Sequence, residues 1–403
     1  MRACCCASDV MDVTEPAEYA TDGSGKRLVL WGTYDLTKPR TRILRESLRR
    51  QAGGLVEIHA DLWQSTRDKS AATGTCALIR IGLRHLIAYP RLVWRYLRAP
   101  RHAAVVVGYM GHLDVLVLWP FARLRGVPIV WDMFLSLYDT VVLDRALVRP
   151  RSLAARLLWA LERLALSAAD LAVIDTETHA RRIEALFRLP SGRLAAVPVG
   201  VEPGVFPPLS ARVRDPNATL RILFYGQFIP LHGIDTILAA ARLAENRPLQ
   251  WQLIGTGQEA PRIRAELATR PILRLVWQEW VPYEQLIDRM RDADICLGIF
   301  GTSEKAASVI PNKVFQALSA GCPIITRDSP AMRELVAPGT PGIALIPPAD
   351  PQALLEAIDK MTESGAVATA TASPRYRRVQ AAIQPDQIAA AWDAVIARVD
   401  ARH

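Results

Sequence analysis

The sequence predicts an α/β protein built from two doubly wound, Rossmann-like domains that face each other across a cleft. Three observations carry this prediction. A chain of 403 residues is too long for one typical core and suits two. Short apolar runs alternate with helical patterns along most of the chain. One stretch rich in proline and glycine, at 197–220, interrupts the alternation and is typical of an interdomain connection.

The apolar runs predict parallel strands, because strands covered by helices on both faces are apolar throughout. In the first half they lie at 27–31, 55–59, 103–107, 127–131, 171–174 and 194–198, with helical patterns near 78–98, 112–125, 152–168 and 176–187. In the second half they lie at 221–225, 250–254, 272–276, 294–298, 322–326 and 342–346. Such sheets bind ligands beyond the carboxyl ends of their strands, so the loops after the strands form the candidate site.

These patterns divide the chain into five segments. We expect a disordered tail, an N-terminal Rossmann-like domain, a hinge, a C-terminal Rossmann-like domain, and a last link and helix that could pack back on the N-terminal domain. Their predicted bounds are 1–26, 27–200, 201–219, 220–375 and 376–403.

Composition narrows the class of protein. The net charge of +9 favours an anionic partner, such as a nucleotide, a nucleic acid or an anionic lipid. The six cysteines show neither a disulfide framework nor zinc-ligand spacing. The apolar runs are too short to span a bilayer, and the first 26 residues do not resemble a secretory signal. We therefore expect a cytoplasmic protein.

The loop YGQFIPLHG at 225–233 follows the first strand of the second half. Gly226 lets the chain turn sharply, and Gly233 opens a helix whose free amide groups favour a phosphate. Gln227 and His232 could donate hydrogen bonds to the same anion. An ordinary turn between a strand and a helix remains the alternative.

The loop GTGQEA at 255–260 matches a dinucleotide-binding pattern, and Glu279 lies about 20 residues further on. The match is weak, because it falls in the second strand–helix unit of its domain. It leaves a nicotinamide-dependent oxidoreductase open as a minor alternative.

The long loop at 298–321 contains two of the six lysines, Lys305 and Lys313. In a chain that otherwise uses arginine, such lysines suggest point charges placed on a diphosphate. Gln316 follows Lys313 by about one helical turn and could bind a ribose. The alternative is that the two lysines are there by chance.

Five motifs occur in the order seen in group 1 glycosyltransferases, the large retaining family usually numbered four. They are VPVGVEPGVF, YGQFIPLHGIDTILAA, LIGTGQE, WVPYEQL and IPNKVFQALSAGCPIITRDSPAMREL, spread over 197–335. The N-terminal half resembles the family more loosely, through WGTYDLTKPRTRIL at 31–44. The resemblance implies the GT-B fold, a nucleotide-sugar donor held mainly by the C-terminal domain, an acceptor held mainly by the N-terminal domain, and no required metal or other cofactor.

The resemblance also implies roles for single residues. Glycines would frame the diphosphate and flank the donor, and a backbone segment would meet the base; these are Gly226, Gly233, Gly255, Gly257 and Val281. Gln227 and His232 stand where many members carry Arg and Lys, and Ser308 and Gln316 stand where many carry two glutamates. We expect Lys305 and Lys313 to supply the missing charge and Glu304 to reach sugar hydroxyls.

In the N-terminal half, the loop after the first strand offers Asp35, Lys38 and Arg40 as acceptor contacts. Many relatives carry a histidine after the strand at 127–131, where this chain has Asp132. His112 could replace that histidine, although a capping role is the alternative. Asp139 and Asp144 are further candidates for the cleft.

The stretch 79–101 contains six arginines and no acidic residue. Five of them fall on one helical face: Arg80, Arg84, Arg91, Arg95 and Arg98. A helix of this kind suits an anionic membrane surface, and an ordinary packed helix with a solvated basic face is the alternative. Nucleic acid is disfavoured, because no recognition motif accompanies the charge.

Together these observations predict a retaining, hexosyltransferase-like enzyme of polysaccharide biosynthesis. It would move a sugar from a nucleoside-diphosphate donor to a cell-envelope, polysaccharide or lipid-linked acceptor, from the cytoplasm or from the inner face of the membrane. A catalytically weak GT-B binding or scaffold module remains the main alternative, because Gln227, His232, Ser308 and Gln316 depart from the family pattern.

Overall fold

The computed structural model describes residues 18–19, 27–51, 53–62, 75–202, 204–208 and 218–402. The chain divides into two compact units. The first contains the described residues up to Phe134 together with 160–173 and 389–402. The second contains 135–159 and the described residues of 174–388. Residues 389–402, from the predicted last helix, thus belong to the first unit.

The first sheet has seven strands in the order β1-β3-β2-β4-β5-β6-β7. Their bounds are β1 Glu18–Tyr19, β2 Leu28–Gly32, β3 Leu55–His59, β4 Ala104–Val107, β5 Ile129–Phe134, β6 Leu171–Ile174 and β7 Leu194–Ala196. Pairing is parallel from β3 through β2 and β4 to β5. The two residues of β1 pair antiparallel with β3, so the tail expected to be disordered contains a short strand. The rest of that tail lies outside the described residues.

Helices follow these strands as the sequence predicts. They are α1 Pro39–Arg49, α2 Thr75–Arg98, α3 His112–Arg125, α4 Leu153–Ala168 and α5 Glu177–Leu186. The end of α3 is set by Gly126, which takes the left-handed conformation that glycine adopts without penalty. A single π-helical turn, Asp139–Asp144, lies between β5 and α4. Such turns are rare and occur frequently at functional sites.

The second sheet has six strands in the order β10-β9-β8-β11-β12-β13. They are β8 Leu220–Tyr225, β9 Leu249–Ile254, β10 Leu275–Gln278, β11 Ile295–Leu297, β12 Ile324–Arg327 and β13 Ile343–Ile346. The pairs recorded for this sheet are all parallel. The strand order reverses between β8 and β11, which makes the loops after these two strands the topological switch point where doubly wound sheets bind ligands.

Ten helices occur in the described part of the chain after β8. They are α6 Ile234–Leu243, α7 Ala260–Thr269, α8 Leu286–Asp292, α9 Glu304–Ser308, α10 Asn312–Ala320, α11 Pro330–Leu335, α12 Pro351–Glu363, α13 Ala366–Thr369, α14 Pro374–Ala382 and α15 Pro385–Asp400. Helical spacing places Ile234, Ile237, Leu238 and Ala241 on one face of α6, and all four are buried.

One strand lies later than its sequence pattern predicts. The run at 272–276 predicts a strand, whereas β10 begins at Leu275. Ile272 points into the core and its carbonyl accepts the amide of Leu275, so the chain turns before the strand begins. Across the described residues, no helix combines the length and the hydropathy that a membrane span requires.

Candidate functional site

The loop after β8 runs close beneath two polar side chains. Gly226 has φ of 141°, and a Cβ added there would lie 2.9 Å from Lys313 Nζ and 3.1 Å from His232 Cε1. Gly233 is the N-cap residue of α6 and has the left-handed backbone conformation. The loop therefore needs glycine at 226 both for its backbone conformation and for space around Lys313.

The GTGQEA loop is bonded to this first loop. A Cβ on Gly255 would lie 1.8 Å from the carbonyl oxygen of Gly226, so the two backbones touch. The amide of Phe228 donates to the carbonyl of Thr256 at 3.0 Å. Gly257 similarly lies against the backbone of Phe228. The glycines thus serve the packing of one loop on another, a role that the sequence pattern alone does not distinguish from dinucleotide binding.

Glu279, the acidic residue of the dinucleotide pattern, is exposed and forms an ion pair with Arg264. It therefore engages a helix of its own unit in the structure. This arrangement gives the nicotinamide alternative no support.

Lys313 has the most unusual environment of the predicted site residues. It lies in the first turn of α10 and is 6% exposed. Its Nζ has no hydrogen-bond partner among the described residues and lies 3.8 Å from the ring centroid of Phe224. Burial lowers the pKa of the Lys313 ammonium group well below its usual range. A buried cation without an anion is costly, so this geometry suits a bound anionic ligand.

His232 is buried beside Lys313 and is held in its neutral form. Burial and then the charge of Lys313 lower the pKa of the His232 imidazole well below its ordinary value. Its Nδ1–H donates to the carbonyl oxygen of Gln227. In the neutral ring Nε2 then carries a lone pair, so His232 can donate to an anion only after taking up a proton.

Lys305 is placed in a different set of contacts from Lys313. Its Nζ donates to Thr140 Oγ1. Burial lowers the pKa of Lys305, and Asp139 and Asp144 act in the opposite direction. Asp144 also accepts a hydrogen bond of 2.8 Å from Ser303 Oγ. The structure thus pairs Lys305 with the π-helical segment, and its role on a diphosphate stays a prediction.

Gln316 uses both ends of its amide group within the protein. Its Oε1 accepts from Tyr225 at 3.0 Å and its Nε2 donates to the hydroxyl of Tyr283 at 3.1 Å. The Tyr283 hydroxyl in turn donates to Glu202, at the start of the predicted hinge. A ribose would have to share or displace these bonds, a constraint that the sequence did not reveal.

The remaining residues predicted for the donor have simpler surroundings. Ser308 is buried and its hydroxyl donates to the carbonyl of Glu304 at 2.7 Å. The side chain of Glu304 is exposed, and Val281 is half-buried. No contact of these three residues tests their predicted roles.

Arg145 is a residue of this region that the sequence analysis did not select. It directly follows the π-helical turn, and its Nη2 donates to Gln227 Oε1 at 3.1 Å. Its own carbonyl accepts from Gln258 Nε2 at 3.0 Å. The one signal available from sequence was its position beside Asp144, because arginine is common throughout the chain.

In the first unit, two predicted residues form a buried ion pair with each other. Arg40 Nη2 lies 2.7 Å from Asp132 Oδ1, and both side chains are almost fully buried. The guanidinium also lies over the rings of Phe134 and Trp392. In the structure Arg40 and Asp132 therefore stabilise the packing of the first unit. Their ion pair accounts for the burial of both side chains, and no bound acceptor is needed to explain it.

Asp35 and Lys38 lie at the start of α1. Asp35 Oδ1 accepts from the amide and the hydroxyl of Thr37, at 2.9 and 2.7 Å, and Lys38 is exposed at the N-cap position. His112 is buried against Trp131, with Nε2 at 3.8 Å from Glu162. Acceptor binding by Asp35 and Lys38 and catalysis by His112 stay predictions.

The arginines of α2 do not share one environment. Arg91 and Arg98 are exposed, whereas Arg84 and Arg95 are half-buried, and the side chain of Arg80 lies outside the described residues. Large apolar side chains share the exposed face with them: Leu86, Ile87, Trp94 and Leu97. The exposed face is therefore mixed apolar and basic, and the arginines predicted to share one face differ in their exposure.

The two doubly wound sheets define the class of protein, which is GT-B. The fold matches sucrose-phosphate synthase from Thermosynechococcus elongatus with a TM-score of 0.69 at 17% identity, over 94% of this chain and all of that one. It also matches HepE from Anabaena, solved in complex with UDP, with a TM-score of 0.63 at 11% identity, over 93% of this chain and all of that one. These likenesses show the fold.

Two family models then identify the family. Residues 219–364 match "Glycosyl transferases group 1", and residues 40–200 match "Glycosyl transferase 4-like domain". The chain belongs to the group 1 glycosyltransferases, as its motifs suggested.

Curated relatives agree with this family. A D-inositol 3-phosphate glycosyltransferase from Streptosporangium roseum is 27% identical over 70% of this chain and 65% of its own length. A protein of the same name from a Nocardioides species is 26% identical over 64% of this chain and 61% of its own length. The chain thus spans less than two thirds of the length of these relatives.

Proposed function

We propose that the protein transfers a sugar from a nucleoside-diphosphate donor, with the diphosphate bound at Lys313. The observation that carries the proposal is the buried Nζ of Lys313, which has no hydrogen-bond partner among the described residues and lies beside Gly226. This position is at the switch point of the second sheet, where doubly wound domains bind nucleotides. HepE, which shares the fold, was also solved with UDP-glucose, which supports a donor of this class.

The chemistry of transfer needs charge stabilisation more than a strong nucleophile. The acceptor hydroxyl bonds to the anomeric carbon as the bond from that carbon to the diphosphate oxygen breaks. The electron pair goes to the diphosphate, and the hydroxyl proton is lost to it or to solvent. Lys313 and the first amides of α10 would stabilise the charge that develops on the leaving group. We propose retention of configuration by attack on the same face, as is usual for the family.

We propose that the diphosphate is neutralised by protein groups and not by a metal ion. Among the described residues, no cluster of three or more His, Cys, Asp or Glu side chains could hold a metal. Transfer should therefore continue in the presence of EDTA, whereas a metal-dependent enzyme would lose activity and regain it with added Mg²⁺ or Mn²⁺.

We further propose that the acceptor is a cell-envelope, polysaccharide or lipid-linked glycan met at an anionic membrane surface. The exposed face of α2 supports this location. It combines Trp94, which is 53% exposed, with Leu97 and the exposed Arg91 and Arg98. Apolar side chains beside arginine, with no acidic residue from 69 to 113, are what an interfacial helix needs.

The proposed function is tested by binding and turnover with a panel of UDP, GDP and ADP sugars. We expect one class of nucleoside diphosphate to stabilise the protein and its sugar to be consumed. Lys313→Met should weaken the stabilisation and lower turnover by about 10²–10³-fold, the usual cost of losing one such donor. Lys360→Met, at a lysine that is 77% exposed, is the matched control and should behave as wild type.

Two outcomes would count against the proposal. Full turnover by Lys313→Met would show that Lys313 does not bind the diphosphate. Tight binding without turnover of any sugar nucleotide would favour a binding or scaffold module. This second candidate is supported by Gln316, because its amide group is already hydrogen-bonded to Tyr225 and Tyr283.

A further inference from the structure

We propose that Arg145 binds the diphosphate of the donor and supplies the cationic group that the loop after β8 lacks. This inference rests on the proposed function, because it concerns the same anion. The loop carries Gln227 and His232, of which the first is neutral and the second is held neutral by its surroundings. The geometry points to Arg145 because its guanidinium is hydrogen-bonded to that loop.

Backbone and side-chain contacts fix the segment that carries Arg145 to the region after β11 and to the loop after β9. Asp144 accepts from Ser303 in the loop after β11. Thr140 accepts from Lys305 in α9. The carbonyl of Arg145 accepts from Gln258 in the loop after β9. These contacts hold the backbone of Arg145 in place, so little conformational freedom remains to be lost when an anion binds.

The guanidinium of Arg145 still has donors to offer. Its Nη2 is bonded to the neutral amide oxygen of Gln227, which is a weaker partner than a phosphate oxygen. Its Nε is buried and has no hydrogen-bond partner among the described residues. A planar guanidinium with a free Nε can bind two phosphate oxygens side by side.

Arg145 and Lys313 also act on one neighbour. Burial, and after it the charges of Lys313 and Arg145, lower the pKa of His232 in the first loop. Asp144 is the acidic neighbour of Arg145 and interacts with its charge, although its carboxylate accepts from Ser303 and the charge of Lys305 acts on its pKa more strongly. Arg145 therefore brings a permanent positive charge to the loop, and a bound diphosphate would also favour the charged form of Lys313.

The inference is tested by comparing nucleoside diphosphates with their parent nucleosides. Dissociation constants are measured for UDP, GDP and ADP and for uridine, guanosine and adenosine, using Arg145→Met, Arg145→Lys and wild type. We expect Arg145→Met to weaken the preferred diphosphate by about 10–100-fold, the equivalent of one charge-assisted hydrogen bond. Binding of the matching nucleoside should not change, and Arg145→Lys should recover part of the loss.

Arg149→Met is the matched control, because Arg149 is exposed four residues further along the same segment and should bind like wild type. Melting temperatures close to wild type would show that the variants fold. If Arg145→Met weakens the nucleoside as much as the diphosphate, or weakens neither, the inference is overturned. If Lys313→Met still weakens binding of the diphosphate in that case, the proposed function stands without Arg145. If wild type binds none of the six compounds, both fail.

Discussion

The ammonium group of Lys313 is buried, and we propose that a bound diphosphate stabilises its charged form. Burial holds the pKa of its ammonium group well below the ordinary value. A diphosphate beside Nζ would favour the charged form and raise the pKa again. The protein should therefore take up a proton when it binds a nucleoside diphosphate, at any pH between the free-state and bound-state pKa values.

Calorimetric titrations in two buffers of different ionisation enthalpy measure this uptake. We expect affinity to fall as the pH rises through the window, and Lys313→Met to lose the part of the uptake that belongs to the lysine. Equal proton uptake by wild type and Lys313→Met would contradict the assignment. The comparison is needed because His232, also held neutral, could take up a proton from the same anion.

The same lowered pKa affects stability without ligand. The unfolded chain binds the proton of this lysine up to a pKa of about 10.4, whereas the folded chain releases it earlier. Between these two values the unfolded state holds more protons, so the free energy of unfolding rises with pH. We expect Lys313→Met to raise the melting temperature of the ligand-free protein at neutral pH, by about 2–4 °C for each 1 kcal/mol gained. An unchanged or lower melting temperature would show that burying this lysine costs the folded state little free energy.

Sequence reasoning selected Lys313 as a candidate but not Arg145, for a physical reason. Lysine is rare in this chain, so two lysines in one loop attract attention. Arginine is common, and Arg145 meets Gln227 across 82 positions of sequence. The pairing of Arg40 with Asp132 spans 92 positions and was missed in the same way. Contacts of this kind depend on tertiary packing, which no local pattern encodes.

At the level of elements, the loops after β8 and β9 pack directly against each other. Gly255 is the point where their backbones touch, since an added Cβ would meet the carbonyl oxygen of Gly226. Gly255→Ala should therefore displace the first loop and lower the free energy of unfolding by about 1–3 kcal/mol, as overpacking usually does. Urea denaturation measures this change.

A second glycine gives the cost of a left-handed residue where no clash is present. Gly365 also has a positive φ, of 66°, but a Cβ there would meet nothing within 4 Å. Gly365→Ala should cost less than Gly255→Ala and leave nucleotide binding unchanged. Equal losses in both variants would mean that the two loops do not depend on close contact.

Most elements could be predicted from the sequence because their signals are local. The helix α3, for example, is predicted at 112–125 and found at His112–Arg125. Its start follows a strand and its end is fixed by Gly126. The strand β10 begins later than predicted, because the carbonyl of Ile272 forms a turn that an apolar pattern cannot show.

At the scale of the whole molecule, the alternation of strands and helices and the break at 197–220 were enough to predict two doubly wound sheets. The motifs were enough to predict the family. The identities of the donor base, the sugar and the acceptor depend on a few contacts. Residue type alone does not define these contacts, because a side chain such as Gln316 can already be bonded within the protein, here to Tyr225 and Tyr283.

Membrane association is also a property of the whole molecule. We expect flotation with vesicles that contain anionic lipid and little flotation with neutral vesicles, because α2 exposes arginine beside apolar side chains. The double variant Leu97→Ser/Arg98→Ala should reduce recovery. Leu273→Ser/Arg274→Ala changes an exposed pair of the same residue types in the second unit and is the matched control. Equal recovery of both variants, or equal binding to neutral vesicles, would contradict electrostatic docking on α2.

The most direct test of the account is a crystal structure of the protein with the nucleoside diphosphate that stabilises it most. We expect a phosphate oxygen within about 3 Å of Lys313 Nζ, at hydrogen-bonding distance, with the diphosphate lying against the loop at Gly226. A diphosphate bound elsewhere, with Lys313 Nζ still buried and without an anion, would contradict the account.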